Sequence, residues 1–115
     1  MSAMTPESKE AGPAAGNPAY AILDIDVKDP ALFEECVKGY SPTVEKYGGK
    51  FLVSAHGGKV ERITGDWVPN RIVLVQWPSV EAYHRWRSSE EYRPWNQLRQ
   101  KAAAPNVILV EGLPA

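Results

Sequence analysis

Tyr47-Gly48-Gly49-Lys50-Phe51-Leu52-Val53 and, further on, Gly65-Asp66-Trp67-Val68-Pro69-Asn70-Arg71 decide the fold. Paired glycines after a helical stretch mark a helix exit, because glycine accepts the left-handed backbone that closes a last turn. The apolar, β-prone run behind them reads as a strand from Lys50 to His56. Gly57-Gly58 then turns the chain into a short return strand, Lys59 to Ile63. Gly65 to Asn70 is a loop, and Arg71 to Trp77 a strongly apolar strand.

Outward from that block, Ala19 to Val27 alternates as a half-buried strand, with Ala21, Leu23, Ile25 and Val27 on one face and Tyr20, Ile22, Asp24 and Asp26 on the other. Asp29-Pro30 opens a helix: aspartate caps the first turn, and proline's missing N–H costs nothing there. Leu32, Phe33, Cys36, Val37 and Tyr40 recur at helical spacing as an apolar stripe, and Pro42 predicts a break or kink. Pro78-Ser79 starts a second helix with Glu81 in its first turn. Ser88 and Glu91 have capping-box spacing for a third, although Pro94 argues for a start near Arg93. Asn106 to Glu111 is the last strand. Strand, helix, strand with hairpin, strand, helix, strand is the split βαβ order of an α+β, ferredoxin-like fold. Helices then cover one sheet face and leave the other open.

The chain has 115 residues, 43% of them hydrophobic and 23% charged, the range of a single globular domain. Met1 to Asn17 mixes polar, proline and glycine residues without an apolar core and reads as a disordered tail, so the domain occupies 18–115. A net charge of -1 offers no basic field for nucleic acid. No apolar run reaches the roughly 20 residues that span a bilayer. The single Cys36 fits a reducing cytoplasm and excludes an intrachain disulfide. No histidine or carboxylate spacing suits a metal, and no cofactor is implied.

Several motifs, in order, resemble the bacterial family called domain of unknown function 1330: Tyr47-Gly-Gly-Lys-Phe-Leu-Val53, Gly65-Asp-Trp-Val-Pro-Asn-Arg71, Val73-Leu-Val-Gln-Trp-Pro-Ser79, Trp86-Arg-Ser-Ser-Glu-Glu-Tyr92, Leu98-Arg99 and Leu109-Val-Glu-Gly112. The resemblance covers about residues 19 to 113 and implies a dimeric α+β barrel. In that arrangement a ferredoxin-like protomer pairs through its open sheet face with a second copy and encloses a small-molecule pocket. The wider superfamily includes small monooxygenases, cyclases and isomerases. The chain departs from the family at Ser54-Ala55-His56, where many members carry an arginine before the glycine pair. It departs again at Gln76, where a glutamate is usual.

Alternation nominates the residues facing the expected pocket: Tyr20 and Asp24 from the first strand, Ser54 and His56 from the second, Gln76 from the third, Leu109 and Glu111 from the last. His56 is the candidate general base, with Asp24 or Glu111 orienting it. A surface histidine at a hairpin is the competing reading. Asp24 in an apolar strand needs a partner or a shifted pKa, and an interface salt bridge to Arg71 or Arg99 would also explain it. Arg71 could clamp a carboxylate, and Trp67 could stack an aromatic substrate, although arginine pairing with Asp66 or Glu61 and ordinary aromatic packing compete.

Three functions follow. One is a cofactor-independent isomerase, cyclase or lyase working by acid and base on a small enolisable or aromatic acid. Another is a non-catalytic dimer that binds a ligand or stabilises a partner enzyme. The third is a cofactor-free monooxygenase.

Overall fold

A computed structural model describes residues 16–114. The expected tail at 1–17 lies outside the described residues, apart from Gly16 and Asn17. The elements are β1 (Ala19–Val27), α1 (Pro30–Lys46), β2 (Lys50–Phe51), β3 (Ile72–Trp77), α2 (Val80–Arg87), α3 (Arg93–Ala102) and β4 (Ala103–Glu111). They build one antiparallel sheet in the order β2-β3-β1-β4. That order is the ferredoxin-like one.

The alternation of β1 fixes which face is buried. Ala19, Ala21, Leu23 and Ile25 are buried beneath the helices, while Tyr20, Ile22, Asp24 and Asp26 are half-exposed on the opposite face. Register carries the pattern to β3, where Val73, Val75 and Trp77 lie beside Leu23, Ala21 and Ala19. On β4 the same register pairs Leu109 with Ala21 and Glu111 with Ala19. Leu109 and Glu111 therefore fall on the helix-facing side, a slip of one residue from the sequence reading, which turns each side chain to the other face. Asn106, Ile108 and Val110 share the open face with Asp24, Ile22 and Tyr20.

α1 begins as read, with the Asp29 side chain accepting from Leu32 N–H at 3.1 Å. Pro42 does not break it: the helix runs through to Lys46. Hydroxyls beside the proline turn back on the same stretch of helix, Ser41 donating to Val37 C=O and Thr43 to Tyr40 C=O, both at 2.6 Å. At the exit, Gly48 (φ 95°) donates to Glu45 C=O and Gly49 to Val44 C=O, the paired bonds of a Schellman cap.

The predicted hairpin is absent. Leu52 and Val53 N–H both reach Leu74 C=O, so two residues oppose one in a bulge, and pairing ends there. The chain then closes a turn through Gly57 N–H to Ser54 C=O at 2.7 Å, and residues 59–63 form no strand. The Ser88–Glu91 capping box is also not formed. Ser88 donates its hydroxyl to His84 C=O, and Ser89 Oγ accepts from Tyr92 N–H. Glu91 bonds Lys46 and the Tyr47 hydroxyl instead, which ties the α2–α3 turn to the end of α1. Those bonds push the Glu91 carboxyl down to about 2.

Trp77, Tyr92, Phe33 and Ile25 are the large, fully buried side chains. Trp77 packs at 5.1 Å on Trp86 and edge-on to Tyr83, while Trp86 lies 4.0 Å from Tyr92. This aromatic ladder joins β3, α2 and the turn before α3, and Tyr40 extends it to α1.

A side chain at Gly48 would need left-handed backbone and would bring its Cβ within 2.8 Å of Pro78 Cγ. Gly48→Ala is expected to lower stability by about 1–3 kcal/mol. Urea denaturation measures this; an unchanged midpoint would contradict the cap's role.

Candidate functional site

The sequence-nominated residues divide into two groups, and neither is the expected acid–base constellation. His56 lies in the turn anchored by buried Ala55 and is half-exposed. Its Nε2 sits 2.9 and 3.0 Å from the two carboxylate oxygens of Glu34 on α1. Its Nδ1 is 3.4 Å from Ser54 Oγ, which also accepts the His56 backbone N–H at 3.1 Å. The hydrogen bond from His56, with its charge, holds the Glu34 carboxyl below its ordinary value. The partner of His56 is thus Glu34, which the sequence analysis did not name. Glu34 stands on an exposed stretch of helix and belongs to no local motif, so only the folded chain brings the two together. Arg71 lies beside this group with its guanidinium 5.1 Å over the Phe33 ring, a cation–π contact.

Asp24 anchors a loop. Its carboxylate accepts from Asn70 N–H at 2.8 Å and from Trp67 Nε1 at 3.2 Å. The segment after β2 is thereby held over the open face. There Ile22 and Ile72 floor a groove of about 490 Å³, walled by Val60, Ile63, Trp67 and Pro69. Tyr20 and Gln76 pair across β1 and β3 further along the same face. Glu111 is exposed at the end of β4 on the opposite side of the sheet, so it approaches neither His56 nor Asp24 as an open-face neighbour.

A second cavity lies between the sheet and the helices. Ala21, Leu23, Val73, Val75 and Val107 form its floor. Tyr40 and Val44 of α1, Tyr83 and Trp86 of α2, and Arg99 of α3 form the walls, with Trp77 reaching in from the end of β3. It measures about 30 Å³, room for one or two waters. Among its lining residues Arg87 is exposed, and Phe51 and Val107 are half-buried.

Two of its lining residues carry a buried polar atom that has no partner. Arg99 is only 4% exposed. Its Nη2 donates to Asn96 Oδ1 at 3.0 Å, and its guanidinium lies over the Tyr92 ring, but its Nε meets no acceptor. No carboxylate among the described residues pairs with it. Trp77 is 1% exposed, and its Nε1–H is likewise unpartnered, whereas Trp86 Nε1 donates to Thr43 Oγ1 at 3.0 Å. A buried donor left unmade costs about 1–3 kcal/mol, more when charged. Burial pushes the Tyr40 hydroxyl up to about 12, so it lines the cavity as a neutral phenol. Sequence reading left the tryptophans between stacking a substrate and packing, and Arg99 in a family motif and as a possible partner of Asp24; it had no way to see that Trp77 and Arg99 line one cavity. Among the described residues no group of three or more histidine, cysteine or acidic side chains could hold a metal ion. No helix there is long and apolar enough to cross a membrane.

The chain belongs to the family described as Domain of unknown function (DUF1330), whose model matches residues 18–113. No curated protein matches it in sequence. Among solved structures it is similar to a protein of unknown function from Rhodopseudomonas palustris, at 18% identity and a TM-score of 0.65, over 87% of this chain and 85% of that one. It is similar to SnoaB, a cofactor-independent oxygenase from Streptomyces nogalater, at 13% identity and TM-score 0.62, over 86% and 96% of the two chains. A hypothetical Arabidopsis thaliana protein aligns at 21% identity and TM-score 0.61, over 86% and 91%. The fold is that of the dimeric α+β barrel proteins.

Because the Glu34 carboxyl is held below its usual 4.5, its contribution to stability is complete above that pH and is lost as pH falls through the depressed value. His56→Ala is expected to return the Glu34 carbon-13 titration to the ordinary range and to flatten that acid limb. An unmoved Glu34 titration would show that the ion pair does not form.

Proposed function

We propose that the chain is a homodimeric small-molecule protein, paired through its open sheet face, whose ligand occupies the cavity between sheet and helices. The single observation that carries the ligand reading is that Arg99 and Trp77, each with a buried donor that meets no acceptor, line one otherwise apolar cavity. Ligand sites are mostly hydrophobic with a few convergent polar groups, and buried donors without acceptors are rare in finished cores. The cavity as it stands holds little more than water, so a ligand larger than that enters only as lining side chains such as Arg87, Phe51 and Val107 move aside.

The geometry favours a cofactor-free monooxygenase over acid–base chemistry. No aspartate, glutamate or histidine lines the cavity, and His56 with Glu34 stands outside it. An electron-rich phenol needs no protein base strong enough to attack carbon. It needs its ring held away from water and its oxygen beside positive charge, which favours the phenolate. Its oxidation by dioxygen is balanced without a cofactor: a naphthol becomes a naphthoquinone, one oxygen atom entering the ring and the other leaving as water. The likeness of fold to a cofactor-independent oxygenase is consistent with this reading, as analogy only.

For the dimer, the support is the apolar character of the uncovered face. Ile108 is 62% exposed, with Val110 and Leu52 also open to solvent, and Ile22 and Leu74 lie between them. Exposed apolar surface of that kind marks an interaction site.

Oxygen uptake and quinone absorbance with 1-naphthol test the chemistry, and calorimetry tests binding. Protein-dependent quinone formation is expected. Binding without turnover would assign the chain to ligand carriage, and absence of both would overturn the reading. In sedimentation, Ile108→Asp is expected to convert a dimer into monomers; a wild-type monomer at micromolar concentration would contradict the pairing.

A further inference from the structure

The exposed apolar surface is concentrated on one side of the molecule. Val60, Ile63, Trp67 and Val68 are exposed on the segment between β2 and β3, and Leu52, Ile108 and Val110 on the open side of the sheet. Leu113, beyond β4, is the other exposed large apolar side chain, and among the described residues the helices carry none. Apolar residues scattered singly over a surface are ordinary, whereas several close together mark a contact surface.

Residues 59–68 form a strap that only its ends hold. His56 bonds Glu34 at one end, and at the other Asp24 accepts from Trp67 Nε1 and Asn70 N–H. Among the described residues no backbone–backbone hydrogen bond reaches 58–69. Gly65 turns the strap with a φ of 95°, and beyond its sequence neighbours no atom lies within 4 Å of where a Cβ on it would stand. The tip thus stands clear of its own protomer.

The same strap builds a groove and a ridge. Ile63 and Trp67 wall the groove of about 490 Å³ above Ile22 and Ile72, while Ile63 and Val68, 81% and 71% exposed, form the ridge. A two-fold axis turns such a surface onto itself, the ridge of each copy meeting the groove of the other. Charge agrees with this. Glu61 and Arg62 adjoin in the groove lining, and neither meets an ion-pair partner among the described residues. Across a two-fold contact each can meet its opposite on the other copy. Area agrees as well: a stable dimer hides about 800 Å² on each partner. Leu52, Ile108 and Val110, the most open of them 62% exposed, fall short of that, and the strap supplies further apolar surface.

We propose that the strap docks on a second copy of this chain, with Ile63 and Val68 entering the partner's groove and Glu61 pairing with the partner's Arg62. The assignment rests on pairing through the open sheet face, and it adds the segment that makes the contact. It also gives the pins a purpose. Asp24 and His56 hold the strap in the shape that the second copy meets, so less order has to be imposed on association.

Sedimentation equilibrium and hydrogen exchange of the full chain test this. Ile63→Asp is expected to raise the dimer dissociation constant by about tenfold or more. Because Ile63 is so exposed, the protomer is expected to keep its fold, which circular dichroism checks. Glu61→Arg and Arg62→Glu each set like charges against one another and are expected to weaken the dimer several-fold, while the two together restore it. The amides of 59–68 are expected to exchange more slowly as concentration rises through the dissociation constant. Either an unchanged constant for Ile63→Asp, or strap exchange independent of concentration in a wild-type dimer, would overturn the docking while leaving the pairing of the sheets. A double variant no tighter than the single ones would overturn the contact between Glu61 and the partner's Arg62. A wild-type monomer at micromolar concentration would overturn both the docking and the pairing it rests on.

Discussion

The packing of Trp77 at the end of β3 is the constraint on which the rest of the structure depends. Its indole lies against Trp86 and Tyr83 on α2 and close to Gly49 at the exit of α1, where an added Cβ would come within 3.0–3.1 Å of the ring. One residue therefore sets how near α1, α2 and the sheet can approach. The tight Gly48-Gly49 exit is needed because a bulkier residue there would hold the helix off the ring. The ladder continues through Trp86 and Tyr92 to Tyr40, so the spacing at one end of the sheet is transmitted to the other.

That same packing leaves a hole. Large, flat rings on α1 and α2 and small residues on the strands, Ala21 above all, meet without filling the space between them. A core built for stability alone would fill it or pair the donors within it. Here Trp86 and Trp77 are neighbours with opposite treatment: the first indole N–H is bonded to Thr43, and the second points to no acceptor. Arg99 adds a buried positive charge held by one side-chain oxygen, that of Asn96, and by ring contact with Tyr92. Sites that tolerate such costs are commonly functional, because a ligand can return what the empty protein forgoes.

The two faces of the sheet thus divide the labour between them. The helix-covered face holds the aromatic ladder and the donors. The other face presents aliphatic side chains and a loop pinned by Asp24, whose carboxylate is occupied by Asn70 and Trp67. Asp24 is unusual in its strand for a structural reason: it fastens the long segment between β2 and β3. His56 fastens the same segment at its other end through Glu34. Asp24 and His56 between them hold twenty residues of irregular chain against the sheet and α1.

The sequence by itself determined the element order, the alternation of β1, the Asp29 and Ser79 helix caps and the Gly48-Gly49 exit, because each is set by neighbours a few positions apart. It also carried the family motifs. Only the tertiary structure decided the phase of β4, since Asn106 to Glu111 alternates acceptably on either face and pairing with β1 chooses one. The hairpin, plausible from Gly57-Gly58, was lost to a bulge at Leu52 and Val53 that local propensity does not encode. The pairing of Glu34 with His56, and the meeting of Arg99 and Trp77 around one cavity, join residues from separate elements. No spacing along the chain records such meetings, because they depend on how far apart the packed rings hold helices and sheet.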